Sequence, residues 1–166
     1  FYRKENISVE YVGHPLVERT NRYKFLSKNE FYSKFKLDTD KEVLLVMPGS
    51  RKQEVKEIFP EVIKAAEKLG TEFNLQVVVA RSNNIDEKYI RRLAASQNFV
   101  CIENHNYELL KYSRFGIIKS GTSTLEAGYV SLPMVIVYKR SRLTYLIGKQ
   151  LVMVDRIGRI NRFLDE

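Results

Sequence analysis

The chain has 166 residues, 44% of them hydrophobic and 29% charged, with 28 Lys and Arg against 20 Asp and Glu for a formal net charge of +8. That length suits one domain of ordinary size, and the apolar fraction supplies a packed core, so wholesale disorder is excluded. The positive surplus favours anionic partners without choosing among nucleic acid, phosphorylated small molecules and an acidic membrane face.

Phe1 is not a methionine and no apolar run of signal-peptide length follows it, so the chain is expected to be a piece of a longer protein. No run approaches the roughly 20 apolar residues that cross a bilayer as a helix. Residues 1–40 read as a connector, ahead of a sheet domain over 41–166. Within the connector, residues 9–12 have a strand pattern, and Ser27-Lys28-Asn29-Glu30 is a capping-box pattern opening a helix to about Phe35.

Residues 42–47 form a continuous apolar run ended by Pro48-Gly49, which suits a buried parallel strand. Val55, Ile58, Phe59, Val62, Ile63, Ala66 and Leu69 follow at helical spacing, with an expected kink or break at Pro60 and an end at Gly70. The alternation then repeats. Strands are predicted over residues 75–80, 99–102, 115–118 and 134–138, and helices over 86–95, 107–112, 123–129 and 142–152. Strands alternating with helices imply a doubly wound, Rossmann-like α/β domain with a parallel sheet. Cys101, the only cysteine, reads as a buried strand thiol; it excludes an internal disulfide and fits a reducing cytoplasm.

In such a sheet, ligands bind beyond the carboxyl ends of the strands. Met47-Pro48-Gly49-Ser50-Arg51 joins a strand to a helix there, and Ser50 with Gln53 has the capping-box spacing. A tight turn at Gly49, a helix start with free N–H groups at Ser50 and the forked cation of Arg51 make a diphosphate cradle. An ordinary capped helix with a surface arginine fits the same residues equally well. The second loop, Lys119-Ser120-Gly121-Thr122-Ser123-Thr124-Leu125-Glu126, sets four hydroxyls around one glycine, so that Ser120, Gly121 and Thr122 can approach a phosphate closely. Glu126, expected in the first helical turn, either accepts from ribose hydroxyls or closes a capping box with Ser123.

Neither loop matches GxGxxG or GxxxxGK[ST], which argues against a dehydrogenase or a P-loop NTPase. His14 and His105 stand far apart and no cysteine pair exists, so no metal is expected. Asp38-Thr39-Asp40 has an acidic spacing used by some metal-dependent glycosyltransferases, but it precedes a strand and reads as a solvated turn.

Five motifs follow one another along the chain: Val12-Gly13-His14-Pro15-Leu16, Met47-Pro48-Gly49-Ser50-Arg51, Ser120-Gly121-Thr122-Ser123-Thr124-Leu125-Glu126, Pro133-Met134-Val135, and Tyr138-Lys139 with Leu143-Thr144-Tyr145. Their order resembles that of the C-terminal, UDP-sugar-binding domain of the lipid-A-disaccharide synthase family. Ile157-Gly158 and Asn161 resemble the start of a later Asn-containing loop, although Arg159-Ile160 stand where the family usually has a Pro before the Asn. The resemblance implies half of a GT-B glycosyltransferase that uses no metal or other cofactor. It implies transfer of 2,3-diacylglucosamine from UDP to 2,3-diacylglucosamine 1-phosphate (lipid X), forming a β-1,6-linked disaccharide with inversion. Gly49, Ser50 and Arg51 would then meet the diphosphate, Ser120, Gly121 and Thr122 would line the nucleotide pocket, Glu126 would hold ribose, and Asn161 would touch the donor.

No residue of the chain stands out as general base; His14 has the right chemistry but reads first as shaping an interdomain hinge beside Pro15. The resemblance places the acidic candidates in a missing N-terminal half, makes the chain truncated at its C-terminus and inactive alone, and leaves a homo-oligomer open. From Lys139 to Arg162, seven Lys or Arg face only Asp155, and Leu143, Leu146, Ile147, Leu151 and Val154 recur at helical spacing. Packing on the sheet explains that stripe first. The acylated substrates nevertheless imply a cytoplasmic protein held peripherally on the inner, anionic membrane face. The nearest rivals are another GT-B transferase, such as the peptidoglycan N-acetylglucosaminyltransferase, or a UDP-sugar epimerase. A nucleic-acid binder lacks an RNP-like strand or a recognition helix, so nucleic acid is not an expected partner.

Overall fold

A computed structural model describes residues 8–10 and 13–139. Within those residues five strands, β1 (Val43–Met47), β2 (Gln76–Arg81), β3 (Val100–Glu103), β4 (Ser113–Lys119) and β5 (Met134–Val137), form one sheet in the order β3-β2-β1-β4-β5, and every pairing is parallel. Six helices accompany it among the described residues: α1 (Pro15–Arg22), α2 (Lys28–Phe35), α3 (Lys52–Glu72), α4 (Glu87–Leu93), α5 (Asn106–Tyr112) and α6 (Thr122–Tyr129). The chain winds outward from β1 to β3, then crosses back to the other side of β1 for β4 and β5. That is the doubly wound α/β arrangement expected from the alternation.

The central strand explains the two-sided core. All five residues of β1 are buried, and successive side chains point to opposite faces. Val43, Leu45 and Met47 join Phe31 and Tyr32 of α2, Leu109 and Leu110 of α5, and Ala127 of α6. Leu44 and Val46 join Val55, Ile58, Phe59, Val62, Ile63 and Ala66 of α3, and Ile90 of α4. Each fully buried Val, Leu or Phe is worth about 1.5–3 kcal/mol, so a strand covered on both faces anchors the sheet. The stretch around α2 thus contributes side chains directly to the core.

Several local expectations need correction. Residues 8–10 are not in a strand, and the helix α1 that follows was not anticipated. It starts where Pro15 supplies a fixed φ and His14 Nδ1 accepts the Leu16 N–H at 3.1 Å. The Ser27–Glu30 capping box is formed. The Ser50–Gln53 box is not: α3 begins one residue later, with Arg51 at the cap, and the Gln53 amide donates to Glu57 instead.

α3 also runs unbroken through Pro60 to Glu72. Proline inside a helix costs about 3 kcal/mol, but Phe59, Val62 and Ile63 on either side are buried and offset it. Gly70 does not end the helix. A Cβ there would stand 3.0 Å from Val77 Cγ2 and 3.1 Å from the Leu75 carbonyl, so glycine lets α3 turn tightly back into β2. The helix expected over 142–152 lies outside the described residues.

A buried carboxylate ties the lead-in segment down. Glu108 on α5 is 1% exposed; it accepts the Tyr23 hydroxyl at 2.7 Å and the Leu26 N–H at 3.2 Å. His105 Nδ1 lies 3.4 Å from the same carboxylate, within ion-pair reach but without hydrogen-bond alignment. The Tyr112 hydroxyl donates to the Leu26 carbonyl at 2.6 Å. Burial, then the hydrogen bond to Glu108 and its charge, push the Tyr23 phenol up to about 12.

Glu108→Ala strands the Tyr23 hydroxyl and the Leu26 N–H, and is expected to lower unfolding stability by about 1–3 kcal/mol in a denaturant titration. Because the folded phenol titrates above its unfolded value, its contribution is complete below pH 10 and lost as pH rises toward about 12. Tyr23→Phe should therefore flatten the alkaline fall in stability over that window, measured by denaturant midpoint against pH.

Candidate functional site at the strand-order reversal

The strand order reverses between β1 and β4, where ligands of open α/β sheets bind. Met47 pairs in register with Ile118, so the two strands end side by side, about 4.8 Å apart. The loop after β1 leads into α3 on one face, and the loop after β4 leads into α6 on the other. Both helices present their N-terminal ends to the gap.

In the first loop Pro48 is buried, Gly49 has φ +113, and Ser50 is exposed. Positive φ of that size is a glycine conformation. A Cβ at Gly49 would also lie 3.0 Å from Glu54 Oε2 and 3.6 Å from Lys119 Cδ. Arg51 caps α3 with its backbone carbonyl, which accepts the Val55 N–H at 3.0 Å, while 82% of its side chain faces solvent. In the second loop the Ser120 N–H donates to the Val137 carbonyl at 2.9 Å, fixing the loop to β5. Gly121 is the cap of α6, with extended backbone and only the Lys119 carbonyl, at 3.9 Å, near the place of a Cβ. The Thr124 hydroxyl donates to the Gly121 carbonyl at 2.7 Å, and the Thr122 side chain is exposed.

Gly49, Ser50, Arg51, Ser120, Gly121 and Thr122 therefore share one edge of the sheet. Glu126 sits one turn further along, in the second turn of α6 rather than the first, so Thr122 and Glu126 share a helix face. It makes no capping box with Ser123, because the helix already starts at Thr122. Half-buried, Glu126 is raised above the usual carboxylate range by desolvation, which the Arg19 guanidinium partly opposes. Asn161 lies outside the described residues.

The sequence gives no sign that Lys119, which opens the second loop, pairs with Glu54. Lys119 Nζ donates to Glu54 Oε1 at 3.0 Å, and Arg51 Nη1 lies 3.6 Å from the same oxygen. Lys119 and Glu54 are each about four-fifths covered, with side chains 18% and 24% exposed. Sixty-five positions separate them, and only the β1–β4 pairing brings them together. Arg19 also escaped notice; it stacks over the Tyr107 ring at 5.8 Å, beside an α1–α6 contact from the Tyr129 hydroxyl to Asn21 at 3.0 Å.

His14 is engaged as the cap of α1. Asp38-Thr39-Asp40 forms a turn at the opposite, amino edge, where the Asp40 N–H donates to Asp38 Oδ1 at 2.9 Å. Among the described residues no group of three or more His, Cys, Asp or Glu is placed to hold a metal ion, and no helix is long and apolar enough to cross a membrane. Burial, and then the Glu87 charge, push the Cys101 thiol on β3 up to about 11.

A family model described as lipid-A-disaccharide synthetase matches residues 1–166. The chain belongs to the lipid-A-disaccharide synthetase family. It is 32% identical to the lipid-A-disaccharide synthase of Geobacter sulfurreducens over 97% of this chain and 42% of that protein. Identity to the Coxiella burnetii enzyme is 34% over 96% of this chain and 42% of that protein, and to the Sulfurihydrogenibium enzyme 34% over 95% and 43%. The chain thus spans a little over two-fifths of the length of these relatives. A solved structure of S. aureus MnaA with UDP superposes with a TM-score of 0.54, at 17% identity, over 87% of this chain and 39% of that one. That likeness shows a shared Rossmann-like fold.

In this family member, Gly49→Ala is expected to lower stability by about 1–3 kcal/mol through backbone strain at φ +113. The carboxylate of Glu54 can swing from the new methyl, so the cost should persist in Gly49→Ala/Glu54→Ala, as compared by thermal unfolding.

Proposed function

We propose that this chain is the donor-binding half of a GT-B glycosyltransferase. In this reading the enzyme transfers 2,3-diacylglucosamine from UDP to the 6-hydroxyl of 2,3-diacylglucosamine 1-phosphate, inverting the anomeric centre without a metal. Residues 41–166 bind the donor, residues 1–40 lead in from the half that binds the acceptor, and the acylated substrates bring the enzyme to the anionic inner membrane surface. The observation that carries the reading is the side-by-side exit of the Gly49–Arg51 and Ser120–Thr122 loops at the strand-order reversal. Family membership and the length of the relatives support the wider assignment.

The chemistry follows from charge. As the glycosidic bond breaks, negative charge grows on the leaving diphosphate and positive charge on the sugar. The Arg51 guanidinium and the N-termini of α3 and α6 stabilise the diphosphate, the role a metal ion plays in other transferases. Ser120, Gly121 and Thr122 line the nucleotide pocket, Glu126 accepts from ribose hydroxyls, and Asn161 is assigned a donor contact. A general base from the acceptor half removes the hydroxyl proton on the opposite face of the sugar.

Calorimetric titration with UDP tests the site. Arg51→Ala and Glu126→Ala should each weaken binding by roughly tenfold or more, consistent with the loss of one charge-assisted hydrogen bond. If both variants bind UDP as well as the parent, the assignment of these loops to the donor is wrong.

A further inference from the structure

We propose that Glu54 is a built-in counter-anion that holds Lys119 at the diphosphate position and gives it up when the donor binds. The inference rests on the donor-site reading above and assigns roles to Lys119, which opens the second loop, and to Glu54, whose pairing neither the loop motifs nor their spacing reveal.

Glu54 is the third residue of α3, a helix whose N-terminus has no side-chain cap. A carboxylate in the first turn is drawn toward the free N–H groups there. Its Oε1 takes the Lys119 ammonium at 3.0 Å and has the Arg51 guanidinium at 3.6 Å, while Oε2 lies over Gly49, 3.0 Å from where a Cβ would stand. One carboxylate therefore sits where a helix start, an ammonium and a guanidinium all point. A diphosphate in the proposed site presents its charge to the same three groups.

The two cations are held differently, and the difference decides their roles. Lys119 is only 18% exposed, so its ammonium needs an anionic partner whether or not a ligand is bound. Arg51 is 82% exposed and only loosely paired, so its fork is free to turn toward a phosphate. Diphosphate binding then exchanges one anion for another: Lys119 Nζ passes from Glu54 to a phosphate oxygen, and the Glu54 carboxylate is left facing like charge. That repulsion limits diphosphate affinity and favours release of the nucleotide product. Gly49 fits the same picture, since a side chain there would fill the space through which Lys119 and Glu54 meet.

The test is calorimetry with UDP and with uridine on the parent, Glu54→Gln and Lys119→Met, over a range of salt. Glu54→Gln keeps an acceptor for Lys119 but removes the opposing charge. It should bind UDP about five- to tenfold tighter with a steeper salt dependence, and bind uridine as the parent does. Lys119→Met should lose UDP affinity about tenfold or more, again with uridine unchanged.

If Glu54→Gln does not give the parent's circular-dichroism spectrum, the Lys119→Met comparison alone carries the decision. Equal or weaker UDP binding by a folded Glu54→Gln, or unchanged UDP binding by Lys119→Met, overturns the counter-anion while leaving the donor site intact. A parent that does not bind UDP overturns both.

Discussion

The parallel pairing of β1 with β4 is the constraint on which the rest of the molecule depends. Among the described strands β1 comes first and is the most deeply buried, and β4 returns to its other side only after the chain has travelled out to β3 and back. Register then matters to the residue. With Met47 opposite Ile118, the turn after one strand and the turn after the other open at the same height, and their helices depart to opposite faces. A shift of one position would turn the β4 side chains to the wrong faces and separate Lys119 from Glu54. Core packing and site geometry are in this sense one requirement, met by the same apolar residues.

Charge at the edge opening is paired locally, so that neither cation there stands far from a carboxylate. The surplus of +8 belongs to the chain as a whole, yet at the reversal point the balance is local: one largely covered carboxylate between an ammonium and a guanidinium. A second covered carboxylate, Glu108, does unrelated work. It takes hydrogen bonds from Tyr23 and Leu26 and so holds the stretch between α1 and α2 against α5. Through that anchor, and through Tyr129 with Asn21, α1 is brought beside the face of α6 that carries Glu126.

How far these features were legible in the sequence depends on the range of the interaction behind them. Strands such as β1 and helices such as α3 announce themselves because burial on two faces, or on one stripe, imposes a local pattern; so do the glycines of the two loops. Caps were less legible. Ser27 and Glu30 form their box, whereas Ser50 and Gln53 at the same spacing do not, because the tight turn at Gly49 delays the helix by one residue. Pro60 misleads for the opposite reason: a local cost is outweighed by burial that only the folded sheet provides. The pairs Lys119–Glu54 and Tyr23–Glu108 span 65 and 85 positions, and nothing local encodes them. α1 was missed because its signals, a histidine cap and a proline at the start, occupy two residues inside a motif read as a hinge.

The central claim is that the two loops at the β1–β4 reversal receive one diphosphate. Backbone amide chemical shifts followed by NMR during addition of UDP measure this most directly, because every loop residue from Gly49 to Arg51 and from Ser120 to Thr122 carries its own N–H. The account predicts saturable shifts concentrated in both loops, rising along a single binding curve, with the amides of the Asp38–Asp40 turn at the far edge unmoved. Shifts confined to one loop, or centred on the amino edge of the sheet, would contradict it.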